Sequence, residues 1–332
     1  MPTLPAATGA HHPHRSLKDF DGDFEALARL MRESWSQNKS QPLLYTPAYL
    51  ASCLAYPGTT PHLAPTLYQD SRIVGFVAGF PRRVHYRGRE LRLIISAFLT
   101  VASEHKRSGY GIVLWSELVK RTRASGYDGL ISYSIDGEPM ANMMLGCYQR
   151  MNVPAARIFS VNYLTRLMPH RQTGVEPEPA DPNLALRFMH AASRMAAAVP
   201  LARIWSVEEV QWNCRRGDSV VVSHGTDESQ GFLTGSLMSI ADRDATKCVV
   251  LDDVLWNNLG IEERRALVDK LVARAMGLGA RMAIVPLQGY ADAEAFTKSR
   301  FLRSPRLLHA YLGMWNTDLR PEPVNSFYLD VF

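Results

Sequence analysis

Cysteine is scarce in this sequence and unpatterned: Cys53, Cys147, Cys214 and Cys248 lie far apart, with no C-x-x-C pair among them. That excludes a disulfide framework or a thiolate metal site as the basis of the fold, and reads as free thiols in a reducing compartment. Long apolar runs are missing too. None approaches the roughly 18 residues that a membrane-spanning helix needs. The opening MPTLPAATGAHHPHRS lacks the basic start and apolar core of a secretion signal. The expectation is a cytoplasmic protein with neither metal nor membrane partner. Neither GxxxxGK[ST] nor GxGxxG in a parallel unit occurs, which excludes a P-loop nucleotidase and a dinucleotide fold.

What is present describes a globular protein. The chain has 332 residues, 46% hydrophobic and 21% charged, enough for two domains of ordinary size. Net charge is +5, but the basic residues form no long run and do not interleave with aromatics. Nucleic acid is therefore not the expected partner. An anionic small ligand such as a nucleotide cofactor is.

Along the chain, residues 1–19 read as a flexible start. Phe24, Leu27, Met31 and Trp35 then recur at helical spacing, and Thr46-Pro47 caps a second helix. From Thr66 the period changes to two. Three short-looped strands follow and predict an antiparallel meander, the last being LRLIISAFLTV with Leu91, Leu93, Ile95, Ala97, Leu99 and Val101 on one face. A helix from Gly111, the strand GLISYSI, a helix over about 139–151 and a strand to Leu167 complete a first domain, 20–168. Residues 169–183, rich in proline and charge, read as a linker. Domain 184–332 repeats the plan: strands GFLTGSLMSI and KCVVLDDVL, helix IEERRALVDKLVARAMG, strand RMAIVPL, a short helix and the strand LLHAYLGMW. Tyr148 and Phe296 stand 37 and 36 residues after Gly111 and Gly260, an internal duplication.

The informative stretch is Val101-Ala-Ser-Glu-His-Lys106-Arg107-Ser108-Gly109-Tyr110-Gly111. A strand delivers the chain to a tight glycine loop and a helix begins at once, so uncovered amides and the positive end of the helix dipole meet at one anion site. Lys106 and Arg107 add two cations, and a pyrophosphate is the natural occupant. An ordinary strand-to-helix turn with a solvated basic pair is the alternative.

This stretch resembles the acyl-CoA signature of the GNAT superfamily of acyltransferases, V-x-P-x-[YF]-[QR]-x-x-G-x-[GA], with Val101, Lys106, Gly109 and Gly111 in the corresponding places. Ser103 replaces the common proline, and Lys106 keeps a charge without the planar fork of arginine. The resemblance covers about Phe20 to Leu167 and implies a mixed α/β fold whose central strands splay to admit the pantetheine arm. The tandem plan is similar to that of N-myristoyltransferases and other double-GNAT enzymes. It implies acetyl-CoA or another acyl-CoA as co-substrate, held by Lys106, Arg107, Ser108, Gly109, Tyr110, Gly111 and the backbone of Phe98, Leu99, Thr100 and Val101. Tyr148 matches the tyrosine that often protonates the coenzyme A sulfur; a packed tyrosine is the alternative.

The base is open, with Asp136 and Glu138, just past GLISYSI, as candidates alongside His85 and His105. In the second half, LWNNLG replaces the phosphate loop and Phe296 cannot donate a proton, so that half reads as degenerate. The expected function is acyl transfer to the amine of a small molecule. An acyl carrier protein as donor, an O- or S-acceptor, and a non-catalytic acyl-CoA-binding regulator are the rivals.

Overall fold

A computed structural model describes residues 14–35, 43–169, 181–226, 228–240 and 246–331. The first half runs β1 (Arg15–Asp19), α1 (Phe24–Trp35), β2 (Leu43–Leu44), α2 (Pro47–Leu54), β3 (Pro65–Gln69), β4 (Arg72–Tyr86), β5 (Arg89–Val101), α3 (Tyr110–Ala124), β6 (Gly129–Ile135), α4 (Met140–Arg150) and β7 (Ala155–Leu167). The second runs α5 (Leu184–Ala196), β8 (Leu201–Ile204), α6 (Val207–Arg215), β9 (Ser219–Thr226), β10 (Ser229–Ile240), β11 (Thr246–Asn257), α7 (Ile261–Gly277), β12 (Ala280–Leu287), α8 (Glu294–Lys298), β13 (Leu302–Met314) and β14 (Phe327–Tyr328). Two helices, a three-stranded meander, a helix, a strand, a helix and a last strand occur in the same order twice.

Local chemistry explains the element boundaries. The Thr46 hydroxyl accepts the Tyr49 N–H and Pro47 opens α2, where its missing N–H costs nothing. Ser206 and Glu209 close a reciprocal capping box on α6. Leu114, Trp115, Leu118 and Val119 form the buried stripe of α3. Residues 15–19, expected to be flexible, instead pair with β3 as a short edge strand; residues 1–13 lie outside the described residues. Of the expected linker, 170–180 also lie outside them, while the Asp181 carboxylate accepts from the Asn183 N–H at 2.8 Å and from Arg187 at 2.7 Å at the start of α5.

The two halves do not form separate sheets. Among the described residues fourteen strands make one sheet whose main path runs β1-β3-β4-β5-β6-β13-β7-β12-β11-β10-β2. The last strand of each half has crossed to the other: β13 lies between β6 and β7, and β7 between β13 and β12, all antiparallel. The expected division at 169–183 thus separates two sequence repeats, not two independent cores. A repeat reads as a unit along the chain, but nothing in its own sequence reports which strand it will pair with.

Within each repeat the two central strands are parallel and then part. β5 and β6 pair from Leu93↔Gly129 to Ile95↔Ile131, then β5 continues alone to Val101 and β6 to Ile135. A bulge sits just beyond the fork: Ala97 faces Ala78 and Thr100 faces Phe76, so Phe98 and Leu99 oppose one residue, and Phe98 takes φ +62°. The bulge breaks the alternation expected of β5. Leu91, Leu93 and Ile95 pack on one face, whereas Leu99 and Val101 join the core that also holds Phe98. The same device recurs in the second half, where β11 and β12 part after Val250↔Ile284 and the register slips around Asp252.

The C-terminal segment covers the face of the central strands opposite α4, through Leu319, Val324, Phe327, Leu329 and Val331. It is clamped at Asp330, whose carboxylate takes hydrogen bonds from Arg82 of β4 and Arg203 of β8. Burial alone would raise this carboxyl; the two guanidinium charges outweigh it and hold it below the usual range. Arg203 also donates to the Tyr56 hydroxyl at 2.9 Å, which in turn donates to Glu209.

Gly313 of β13 lies under the Tyr148 ring of α4, and a Cβ there would stand 2.3 Å from two ring atoms. Gly313→Ala is expected to cost about 1–3 kcal/mol through overpacking, and Tyr148→Leu in the same chain should recover most of it. Urea unfolding of the two single variants and the double variant measures this coupling; additive losses would contradict it.

Candidate active site

The loop between β5 and α3 carries the expected phosphate-binding residues. Ser103–His105 make one 3-10 turn, Arg107 takes φ +71° and Gly109 φ +85°. Gly109 caps α3 in the left-handed region that glycine enters freely. The first helical turn bond runs from the Val113 N–H to the Gly109 carbonyl, so the amides of Gly111 and Ile112 precede it and face outward at the positive end of the helix. Val101 and the Met143 sulfur of α4 flank Gly111. Ile112 and Val113 are 38% and 46% exposed beside these amides, an apolar rim on a polar site.

The two loop cations are not equivalent. The Lys106 ammonium donates to the Ser34 carbonyl at 3.2 Å, covering the end of α1. Ser103 reaches the Glu33 carbonyl, and Arg72 pairs with both Glu33 and Glu104. These contacts staple the loop to α1. Arg107 and Ser108 are exposed, and Tyr110 stacks beneath the Arg15 guanidinium. Arg107 is thus exposed on the loop before α3, whereas the Lys106 ammonium is tied to the end of α1.

At the fork itself the Ser96 and Ser132 hydroxyls meet at 2.5 Å, bridging β5 and β6 where backbone pairing stops. Past them Phe98 packs edge-on against Tyr45, which packs against Tyr49 and Trp35. The backbone of Leu99 and Val101 has left β6 behind.

Tyr148 is not in the fork. It is fully buried between Trp115 and Gly313, and its hydroxyl donates to the Leu130 carbonyl at 3.3 Å, inside the paired part of β5 and β6. Burial pushes its phenol well above the usual value. The geometry makes it a packing residue and does not bring its proton to the place where β5 and β6 part. Asp136 and Glu138 occupy the tight turn from β6 to α4, which Gly137 makes with φ +79°. Glu138 is half-buried there.

Asp136 has a partner that sequence reasoning missed. Its carboxylate lies 3.0 Å from His309 Nε2, and His309 Nδ1 lies 2.9 Å from the Ser160 hydroxyl. Asp136 is 66% exposed, whereas the His309 side chain is 8% exposed. An ionised Asp136 accepts from Nε2–H, which leaves Nδ1 as the basic nitrogen receiving the Ser160 proton. His309 stands in register with Ser134 of β6, on the strand that the second half inserts into the first. Its only signal in the sequence is a lone histidine inside the apolar run LLHAYLG.

The equivalent fork in the second half is filled. The Val254 N–H donates to the Tyr290 hydroxyl, the Tyr328 hydroxyl donates to Asp253, and Phe327 and Leu329 bond to Gln288. At α7, the Gly260 N–H is taken by Glu263 at 2.7 Å, with Glu262 beside it. Two carboxylates at a helix start repel an anion. Phe296 of α8 is buried in the second core, matching Tyr148 in position.

The fold is similar to known architecture over most of its length. Yeast N-myristoyltransferase (Saccharomyces cerevisiae) with bound myristoyl-CoA aligns over 95% of this chain and 86% of its own, at 13% identity and TM-score 0.72. The chain has the two-halved fold of N-myristoyltransferase. A GCN5-related N-acetyltransferase from Anabaena variabilis ATCC 29413 aligns over 90% of this chain and 72% of its own, at 12% identity and TM-score 0.54. In sequence, no family model and no curated protein matches. Among the described residues no group of His, Cys, Asp and Glu is arranged to hold a metal ion, and no helix is long and apolar enough to cross a membrane.

One carboxylate near the centre of the molecule sets a pH dependence. Asp252, at the second bulge, has its carboxyl pushed up to about 7 by burial, against the opposing effects of Arg216 at 3.7 Å and the Ser236 hydroxyl at 2.6 Å; Asp253 and Asp330 add to the rise. Glu209 is likewise raised to about 7, chiefly by burial. The native state holds protons that the unfolded chain releases above about pH 4, so stability falls as pH rises towards 7 and levels off beyond it. Melting temperature from pH 5 to 8 should fall less steeply in Asp252→Asn than in the wild type; parallel curves would contradict the assignment.

Proposed function

We propose that this protein transfers an acyl group from an acyl-coenzyme A thioester to an amine, with the donor bound in the first half alone. The observation that carries the reading is the open fork of β5 and β6 beneath the uncovered amide end of α3, in a molecule whose second fork is filled by its own residues. The coenzyme pyrophosphate sits at the amides of Gly111 and Ile112 with Arg107 beside it. The pantetheine arm runs along the unpaired backbone of Leu99 to Val101, and Ile112, Val113 and Met143 give it an apolar flank. Yeast N-myristoyltransferase, solved with myristoyl-CoA, supplies a precedent for this fold holding such a thioester.

The chemistry needs a neutral amine. A free alkyl amine with a pKa near 10.4 is protonated at pH 7, a cost of about 4–5 kcal/mol. Its lone pair attacks the thioester carbon; the C–N bond forms, the C–S bond breaks, and the thiolate leaves. The proton that the amine gives up passes to the Ser160 oxygen as Ser160 hands its own to His309 Nδ1, the nitrogen left basic while Asp136 holds Nε2. Tyr148 is left out of this scheme because its hydroxyl is committed to Leu130.

Calorimetry and thermal shift with coenzyme A, acetyl-CoA and long-chain acyl-CoAs test the donor site. A bound thioester at about a hundred times its Kd should add about 2.7 kcal/mol of stability. Arg107→Ala should weaken that binding, while Lys106→Ala should lower the melting temperature of the free protein. No stabilisation by any acyl-CoA would sink the donor assignment. In turnover assays His309→Gln should lower kcat/KM by about 10²–10⁴, and Tyr148→Phe should leave it near the wild-type value. The reverse pattern would restore the tyrosine and remove the histidine.

A further inference from the structure

Three polar side chains meet beyond the mouth of the fork. The Ser160 hydroxyl lies 2.9 Å from His309 Nδ1, and His309 Nε2 lies 3.0 Å from the Asp136 carboxylate. They come from β7, β13 and the turn after β6, and register explains the meeting. His309 stands opposite Ser134 of β6 on one side and opposite Ser160 of β7 on the other. Directly opposed residues of antiparallel strands point to the same face of a sheet, as do residues two apart along a strand. Ser132, Ser134, His309 and Ser160 therefore share one face. Ser132 is the residue whose hydroxyl meets Ser96 where β5 and β6 part, one place after the last pairing, Ile95↔Ile131.

The exposures differ along the row in a useful way. The His309 side chain is buried, Ser160 is half-buried and Asp136 is exposed. A fixed imidazole thus presents its basic nitrogen to a hydroxyl that a ligand can touch. Among the described residues the Ser160 hydroxyl bonds to His309 alone, whereas those of Ser134 and Thr100 turn to backbone carbonyls. Asp136 is open to water, so its charge counts for little and its contribution is orientation. By accepting from Nε2–H it leaves Nδ1 to take a proton. A serine hydroxyl is a weak nucleophile alone. A base within hydrogen-bond reach, itself oriented by a third group, is the arrangement that activates one.

We propose that Ser160 is an acyl-accepting nucleophile, and that the protein hydrolyses activated acyl donors through an acyl-Ser160 ester when no amine is bound. The Ser160 oxygen attacks the acyl carbon as its proton passes to Nδ1. The C–O bond forms, the bond to the leaving group breaks, and the leaving thiolate takes the proton from His309. Water then attacks the ester and gives a proton to Nδ1; the bond to Ser160 breaks, Ser160 recovers that proton and the carboxylic acid departs. Ser160 stands two strands out from β6, roughly 10 Å at about 4.8 Å per strand. An acyl group from the fork reaches it by leaning across β13, through the space that an amine would occupy. With an acyl-CoA as donor the activity rests on the acyl-transfer reading. The nucleophile does not, since the sheet builds it and not the fork.

Two measurements on the full chain keep these apart. An alkyl fluorophosphonate, which needs no coenzyme site, should phosphonylate the protein with loss of fluoride, and peptide mapping should put the group on Ser160. Labelling should vanish in Ser160→Ala and slow by about 10²–10⁴ in His309→Gln. Asp136→Asn, on an exposed turn that tolerates the change, should slow it as well. The second measurement is thiol release from acyl-CoA without any amine. Ser160→Ala should abolish it, and an acid quench during wild-type turnover should trap the acyl group on Ser160 as a hydroxylamine-sensitive ester. Phosphonylation of Ser160 without turnover of any acyl-CoA would overturn the donor reading and keep the nucleophile. No labelling of Ser160, or thiol release that Ser160→Ala leaves unchanged, would overturn the proposal.

Discussion

Strand β13 occupies a place in the sheet that its own half cannot supply, and much of the molecule follows from that exchange. Lying between β6 and β7, it presses Gly313 against Tyr148 and sets His309 beside Asp136 and Ser160. Antiparallel neighbours on both sides satisfy its backbone on both edges, so the exchange leaves no open edge at the join. The C-terminal segment then locks the opposite face. Asp330 between Arg82 and Arg203 ties that segment to strands from both halves, and the buried charges are tolerable because each has a close opposite partner.

Two copies of one plan have been driven to opposite ends. Both forks begin the same way, with a short parallel pairing and a bulge. In the first, the helix start beyond it offers amides and Arg107. In the second, Glu262 and Glu263 consume or repel what such a start attracts, and Tyr290 and Tyr328 occupy the gap. The filled fork is tied by hydrogen bonds between its own strands and helices. It holds Asp253 with Thr234, Tyr328 and Asn213 and keeps the central strands in register.

Much of this was legible along the chain because it is local. Helix α1 announced itself by spacing, α2 by Thr46-Pro47, and the meander by its period of two. The glycine loop at Ser108 to Gly111 could be read because a strand, two glycines and an amphipathic helix in sequence suffice to define it. The bulge at Phe98 could not, since nothing in an alternating apolar run marks the residue at which the register slips. Strands β8 and β14 went unread, being short and placed by contacts with distant residues, and α5, α6 and β9 went unread as well. The contact of Lys106 was out of reach for a related reason: its sequence neighbours are the loop, but the carbonyl its ammonium reaches belongs to Ser34, 72 residues away. The contacts of His309 with Asp136 and Ser160 were invisible because an exchange of strands between halves makes them. Tyr148 fits a family pattern in sequence, and only the position of Leu130 and Gly313 shows where its hydroxyl goes.

The central claim is that one fork binds the donor and the other only supports it. Amide hydrogen exchange with and without a long-chain acyl-CoA tests this most directly, since it reads both forks in one experiment. The account predicts slower exchange at Gly111, Ile112 and the unpaired stretch Leu99 to Val101, with no change along Leu251 to Val254. Protection confined to the second fork, or spread equally over both, would contradict it.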